Sequence, residues 1–366
     1  MSHKHDAAAG LRTAPWAPMG RIAHFLGQLP QVGCRRRGRV DRRRRSRRQT
    51  RVGVVLGAGG VLGGAWMVGA LAALQRATGW NPCQADCLVG TSAGAVFAAL
   101  LAGGVSPDRL LPTDESWILK ELALESSYRS EHRLPNAPLG SWRLALAGLL
   151  QAPSPWSVLQ LLGGIVPTGR VHPDPIARTV RRAVAQGWAA HVDCRIVATD
   201  YSTGRRVVFG EEGAPEASLA QAVAASCAIP GFFEPVSING RRYVDGGLHS
   251  LCNLDLLESR DLDLVICLSA MTTHERQHGS EPFQRAIRSL FGLAAEQLDR
   301  QAAALRKLGV DVMVIEPTAR DWAGMGANLM DARRLGSVLE VALTSVTDQL
   351  RRRGMSTRLG ALRTAA

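Results

Sequence analysis

Ser92 stands between Gly90 and Gly94 in the stretch Asp86-Cys87-Leu88-Val89-Gly90-Thr91-Ser92-Ala93-Gly94-Ala95. A short apolar run leads into it and a small-residue run, Ala93 to Ala102, leads out. Strand, sharp turn and helix with a serine at the corner is an arrangement that lifts a hydroxyl clear of the backbone. The turn is tight, so the neighbours of the serine must be small, and Gly90, Ala93, Gly94 and Ala95 are. The helix behind offers unpaired N–H groups and a positive dipole end. That suits a nucleophile whose attack develops an oxyanion. A plain small-residue turn would read the same way, so the flanking sequence has to decide.

A second candidate lies one strand earlier. Val52 to Leu56 is followed at once by Gly57-Ala58-Gly59-Gly60-Val61-Leu62-Gly63-Gly64 and then by a helical pattern over about Ala65–Ala77. Strand, glycine loop and helix aim backbone N–H groups at an anion. A dinucleotide phosphate is one such anion. However, Leu62 falls where the third glycine of G-x-G-x-x-G would stand, and no acid ends the following strand. An oxyanion hole is the other use. A serine elbow ending the next strand favours it, because parallel strands place both loops at one edge of the sheet.

A serine nucleophile needs a proton acceptor. The histidines outside the first 34 residues are His132, His172, His191, His249, His274 and His278. Of these, His249, His274 and His278 are candidates for a Ser–His–acid triad, though none has a distinctive setting. Asp245 heads Asp245-Gly246-Gly247 after a hairpin whose turn is Asn239-Gly240, a strong hairpin signal. Alone, it reads as a turn aspartate.

Together these motifs resemble those of the patatin-like phospholipase family. The glycine loop Gly57–Gly63, the elbow Gly90–Gly94 and the late Asp245–Gly247 occur in the family's order. The run Ser226-Cys227-Ala228-Ile229-Pro230-Gly231-Phe232-Phe233 and the hairpin into Asp245 are also similar. The resemblance covers about residues 52–270. It implies a three-layer α/β sandwich and a Ser92–Asp245 dyad in place of a triad. It implies oxyanion donors at Gly59, Gly60 and Val61, an acyl-enzyme intermediate, and no metal or organic cofactor. The substrate class would be a lipid or other carboxylic ester. Two positions depart from the family pattern: Ala58 replaces its first glycine and Leu62 its usual basic residue. Ala58 fits if its φ is negative, and Leu62 removes a charge near the loop. A nucleotide-binding α/β module, or a membrane-docked interaction protein with a vestigial site, is the competing reading.

The elements that must position these residues alternate strand and helix, which predicts a mostly parallel sheet with helices on both faces. Further strands are expected at Cys194–Asp200, Asp263–Ala270 and Val310–Glu316. Further helices are expected over about 113–126, 174–185, 217–226, 283–308 and 331–352. Residues 142–166 are rich in Leu, Ile and Val with Arg143 as their one charge; they read as core or as a lid beside an acyl-chain site. The chain divides into a tail over 1–51, a catalytic domain over 52–317 with a cap-like insertion at about 105–190, and a C-terminal helical segment over 318–366.

Charge separates the tail from the rest. Of the net +13, Arg35 to Arg51 carry +10 and residues 1–34 carry +2, leaving the remainder near neutral. Such a run favours disorder and a peripheral contact with anionic membrane; non-specific nucleic-acid contact and no role at all are the alternatives, and nothing predicts specific nucleic-acid binding. Seven cysteines without a repeated spacing predict small buried side chains in a reducing, cytoplasmic setting. No apolar run reaches the length of a membrane span.

Overall fold

The computed structural model describes residues 50–111, 140–151, 154–184, 187–189, 193–274, 282–326, 328–352 and 362. The arginine run before Thr50, the helix expected over 113–126 and His278 lie outside them.

The strands are β1 (Val52–Leu56), β2 (Cys87–Thr91), β3 (Cys194–Asp200), β4 (Arg206–Phe209), β5 (Val236–Ile238), β6 (Arg241–Asp245), β7 (Leu264–Leu268) and β8 (Asp311–Ile315). They form one sheet in which β5 pairs with β6, β7 joins β1 to β8, β1 pairs with β2, and β3 pairs with β2, β4 and β6. The five strands β3, β2, β1, β7 and β8 are parallel. β4, β5 and β6 pair antiparallel. The helices are α1 (Gly60–Thr78), α2 (Ala93–Ala102), α3 (Trp142–Leu150), α4 (Pro155–Ile165), α5 (Asp174–Ala183), α6 (Leu219–Ser226), α7 (Pro282–Lys307), α8 (Ala319–Met325) and α9 (Leu335–Arg351).

A strand buried on both faces reads as a continuous apolar run, and its side chains still alternate. Val52, Val54 and Leu56 of β1 join Leu264, Ile266 and Leu268 of β7 on one face, under α1, α2, α6 and α9. Val55, Val89, Val265 and Cys267 point to the other face, where Ala294, Leu298, Ala302 and Leu305 of α7 cover them. The result is a helix–sheet–helix sandwich. α9 lies directly on α1: a Cβ on Gly69 would stand 2.7 Å from the Leu339 carbonyl.

The helix expected to begin near Ala65 begins at Gly60, so part of the glycine loop is helical. Glycine is a poor helix former, but α1 is buried almost throughout, and tertiary packing supplies what propensity lacks. The apolar stretch after residue 140 folds as the hairpin α3–α4. It is started by the Ser141 side chain and by a Ser154–Ser157 capping box with Pro155 in the first turn. α8 was not expected from the sequence; Thr318 and Asp321 form its capping box. The helix expected from Asp331 begins at Leu335, after a short 3-10 turn. The six described cysteines are all free and buried.

Candidate active site

The serine elbow follows from close packing. β2 must end against β1 while α2 folds back over the sheet. A Cβ on Gly94 would stand 2.0 Å from the Leu56 carbonyl oxygen, and one on Gly90 would stand 2.6 Å from Ala95 Cα. Both motif glycines are therefore set by backbone approach. Between them Ser92 takes φ 54° and ψ −124°, a left-handed region costing about 1–3 kcal/mol for a residue with a Cβ. The surroundings hold it there. The Ser92 N–H donates to Ser226 Oγ at 2.9 Å, and Ser226 Oγ donates to the Val197 carbonyl at 2.6 Å. The Cys227 thiol donates to the Ser92 carbonyl at 3.2 Å. One residue earlier, Asn253 Nδ2 donates to Thr91 Oγ1 at 3.0 Å.

Strand register brings Asp245 to this corner. Ile196 and Val197 pair with both β2 and β4, while Ala198 and Thr199 pair with both β4 and β6. A residue has only two sheet edges, so β2 and β6 share the edge opposite β4. They run towards each other along it. Thr91 ends β2 opposite Val197, and Asp245 ends β6 opposite Ala198. Ser92 and Asp245 are thus the residues at which two strands meet head to head.

Asp245 is held by its backbone. Its N–H donates to the Ala228 carbonyl at 3.0 Å, and its carbonyl accepts from Thr199 Oγ1 at 3.0 Å. Gly246 passes so close to Val197 that a Cβ would stand 2.3 Å from its carbonyl oxygen. Asp245 Oδ1 accepts from the Gly247 N–H at 2.7 Å. Oδ2 is buried without a well-formed hydrogen bond. Burial pushes the Asp245 pKa from its ordinary 3.8 up to about 6; the nearby Ser92 hydroxyl and the Gly247 N–H pull it back in part. The Ser92 hydroxyl thus acts on this carboxyl.

The glycine loop faces the same edge. Leu56 pairs with Gly90, so β1 and β2 end side by side. The loop's own donors divide into two groups. Gly57 N–H donates to the Leu268 carbonyl, Ala58 N–H to Leu251, Leu62 N–H to Leu329 and Gly63 N–H to Gly59. Among the described residues, the N–H groups of Gly59, Gly60 and Val61 have no such acceptor. Gly60 turns the chain with φ 59°, and Gly59 is needed because a Cβ there would stand 2.8 Å from Gly63 Cα. Ala58 has no positive φ, so it fits where the family has glycine. Leu62 is fully buried in the core, so its side chain is a packing residue.

Of the candidate histidines, His274 has other partners. Both ring nitrogens of His274 are taken: Nδ1 lies 2.6 Å from Glu316 Oε2 and Nε2 lies 2.8 Å from Asp299 Oδ2. These acids raise its pKa and leave no nitrogen for a serine. His249 is partly buried, and its pKa is lowered first by burial and then by the Arg206 charge. No metal-binding cluster occurs among the described residues. Ser226, Cys227, Asn253 and Leu329 support the site without any motif pointing to that role; the Ser226–Phe233 run was the one sequence signal near them.

This is a strand–serine–helix corner beside a glycine-started helix, with a buried aspartate at the same edge. A family model described as patatin-like phospholipase matches residues 54–257, and the chain belongs to that family. Among solved structures, it is similar to VipD from Legionella pneumophila at 17% identity and a TM-score of 0.37, covering 82% of this chain and 67% of that one. The ExoU–SpcU heterodimer of the type III secretion system of Pseudomonas aeruginosa gives 17% and 0.35, covering 85% and 61%. Human GIVD cytosolic phospholipase A2 in complex with methyl gamma-linolenyl fluorophosphonate gives 14% and 0.30, covering 86% and 59%. The chain therefore spans about three-fifths to two-thirds of these proteins' own lengths.

Proposed function

We propose that this protein hydrolyses carboxylic esters of lipids through a Ser92–Asp245 dyad. The observation that carries the reading is the head-to-head meeting of β2 and β6 on one edge of β3. Ser92 Oγ attacks the ester carbonyl carbon as its proton passes to the Asp245 carboxylate. The tetrahedral oxyanion takes hydrogen bonds from the N–H groups of Gly59, Gly60 and Val61. The C–O bond to the leaving alcohol breaks, and Asp245 returns the proton to that alcohol. Asp245 then draws a proton from water, the resulting hydroxide equivalent attacks the acyl-enzyme, and the proton goes back to Ser92 as the acid departs.

A free aspartate is a weak base, with a pKa of about 4. Here burial strengthens it, bringing its pKa to about 6, nearer the value a general base needs at neutral pH. The arginine run Arg35–Arg51 fits a contact with anionic lipid and is part of this proposal, as is a cytoplasmic or peripheral setting. No described helix is long and apolar enough to cross a membrane.

The test is labelling with a fluorescent fluorophosphonate, together with hydrolysis of p-nitrophenyl esters of increasing chain length. Wild type should label and turn over. Ser92→Ala should do neither, and Asp245→Asn should lose turnover. Full activity in either variant would overturn the dyad.

A further inference from the structure

The hairpin α3–α4 buries Leu144 and Trp156 but leaves most of its large apolar side chains exposed. Its buried residues include Ser141, Ser157 and Gln160, while Trp142, Leu149, Leu150, Val158, Leu162 and Ile165 are between 51% and 76% exposed. Eight of the ten exposed large hydrophobic residues in the described structure fall within Trp142–Val166. Scattered exposed leucines mean little, but a contiguous patch marks a contact surface.

The way the two helices touch points to the solvent they are made for. They meet through glycine: a Cβ on Gly148 would stand 2.6 Å from Leu161 N, and one on Gly164 would stand 2.3 Å from Ala145 N. Small residues inside and bulky apolar residues outside is the packing of helices in lipid. The nine residues of α3 and eleven of α4 span only about 14 and 17 Å, too short to cross a bilayer core of about 30 Å. Such a pair can lie only in one leaflet.

Charge and position agree. The described hairpin carries no acid, and its one charged residue, Arg143, lies 5.5 Å over the Trp142 ring. Tryptophan with arginine suits the headgroup level. Exposed Arg205 follows Gly204, where a Cβ would stand 2.9 Å from Ala147 Cβ. Arg242, also exposed, sits 5.2 Å over the ring of Tyr201, whose carbonyl accepts from Ser141 Oγ. The hairpin is also tied to the aspartate loop. Gln160 Nε2 reaches the Leu248 carbonyl, three residues after Asp245, at 3.4 Å, and Gly163 packs beside Leu248 and Pro230.

We propose that the exposed face of α3–α4 docks into one leaflet of an anionic lipid bilayer, with Arg143, Arg205 and Arg242 meeting the headgroups beside the dyad. Its purpose rests on the ester-hydrolase reading; its test does not. Binding is measured on full-length Ser92→Ala by sedimentation with vesicles of phosphatidylcholine containing about 30% phosphatidylglycerol. It is repeated in about 0.5 M salt, which screens the arginine tail and leaves apolar insertion in place. Leu149→Ser/Leu162→Ser/Ile165→Ser is made in the same background, with circular dichroism and Tm confirming the fold.

Ser92→Ala should bind in both salts, and the triple variant should bind at least about 100-fold more weakly. Equal binding by a folded triple variant would overturn the proposal. So would loss of all Ser92→Ala binding in high salt, which would assign docking to the tail. If Ser92→Ala ignores vesicles but self-associates, and the triple variant is monomeric, a second copy covers the face and the proposal fails. Should the triple variant not fold, Ile165→Ser alone takes its place, with about a tenfold loss expected. An enzyme inactive on soluble esters that still docks through the hairpin would fail the dyad while keeping this inference.

Discussion

Two apolar regions of this molecule are built in opposite ways. At the serine corner, Gly90, Gly94 and Gly246 let backbones approach until no side chain fits, and the strained Ser92 is held by Ser226. In the α3–α4 hairpin, Gly148 and Gly164 bring two helices together, and most large side chains other than Leu144 and Trp156 face outwards. The first region spends its small residues on fixing one geometry. The second spends them on freeing a surface. A hydrolase of insoluble substrates needs both: atoms that do not move relative to each other, and a face that accepts a fluid partner.

The contrast is broken most severely at Ser92, the proposed nucleophile. Ser92→Ala should lower kcat/KM for a soluble ester by about a thousandfold or more, measured by steady-state hydrolysis, with no change in vesicle binding. Next comes packing. Gly94→Val should cost about 3 kcal/mol or more in urea unfolding, because its Cβ would meet the Leu56 carbonyl. Leu149→Ser on the hairpin should stay within about 0.5 kcal/mol.

Protonation sharpens the comparison further. The folded state holds the Asp245 proton more tightly than the unfolded chain does, since its pKa rises from 3.8 to about 6. The group therefore costs nothing at low pH. Its cost grows as pH rises from about 4 to about 6 and is complete above, on the order of 3 kcal/mol. Asp245→Asn should raise Tm at pH 8 and leave it unchanged near pH 4, while abolishing turnover. In wild type, kcat/KM should rise with pH through about 6 as the base ionises. A milder effect on turnover is expected at Ser226→Ala. It orphans the Ser92 N–H at about 1–3 kcal/mol, and should lower kcat more than it raises KM. A rise in KM with kcat unchanged would remove Ser226 from the elbow's support.

Much of this was legible because it is local. A strand, a glycine turn and a helix are decided by residues a few positions apart, so β1, β2, the elbow and the hairpin at Asn239-Gly240 can be read directly. Even there, neighbours intervened: α1 starts five residues earlier than its pattern suggests, with Ala270, Phe97 of α2 and Leu339 of α9 packed against Gly63, Gly64 and Gly69. The hairpin was legible only as an apolar stretch. Period and composition give a helix's hydrophobic residues, but they do not say which way those residues face, and here Ser157 and Gln160 are buried while Val158 and Leu162 are exposed. His274 looked available until Asp299 and Glu316, 25 and 42 residues away, occupied both its nitrogens.

The sequence by itself determined the parts: a serine at a glycine-lined turn, an anion-facing loop and an aspartate after a hairpin, each fixed by short-range sterics. Only the tertiary structure decided that β2 and β6 share an edge of β3 and meet at Ser92 and Asp245. Sheet register is a sum of contacts across more than 150 residues of chain, and no local pattern encodes it.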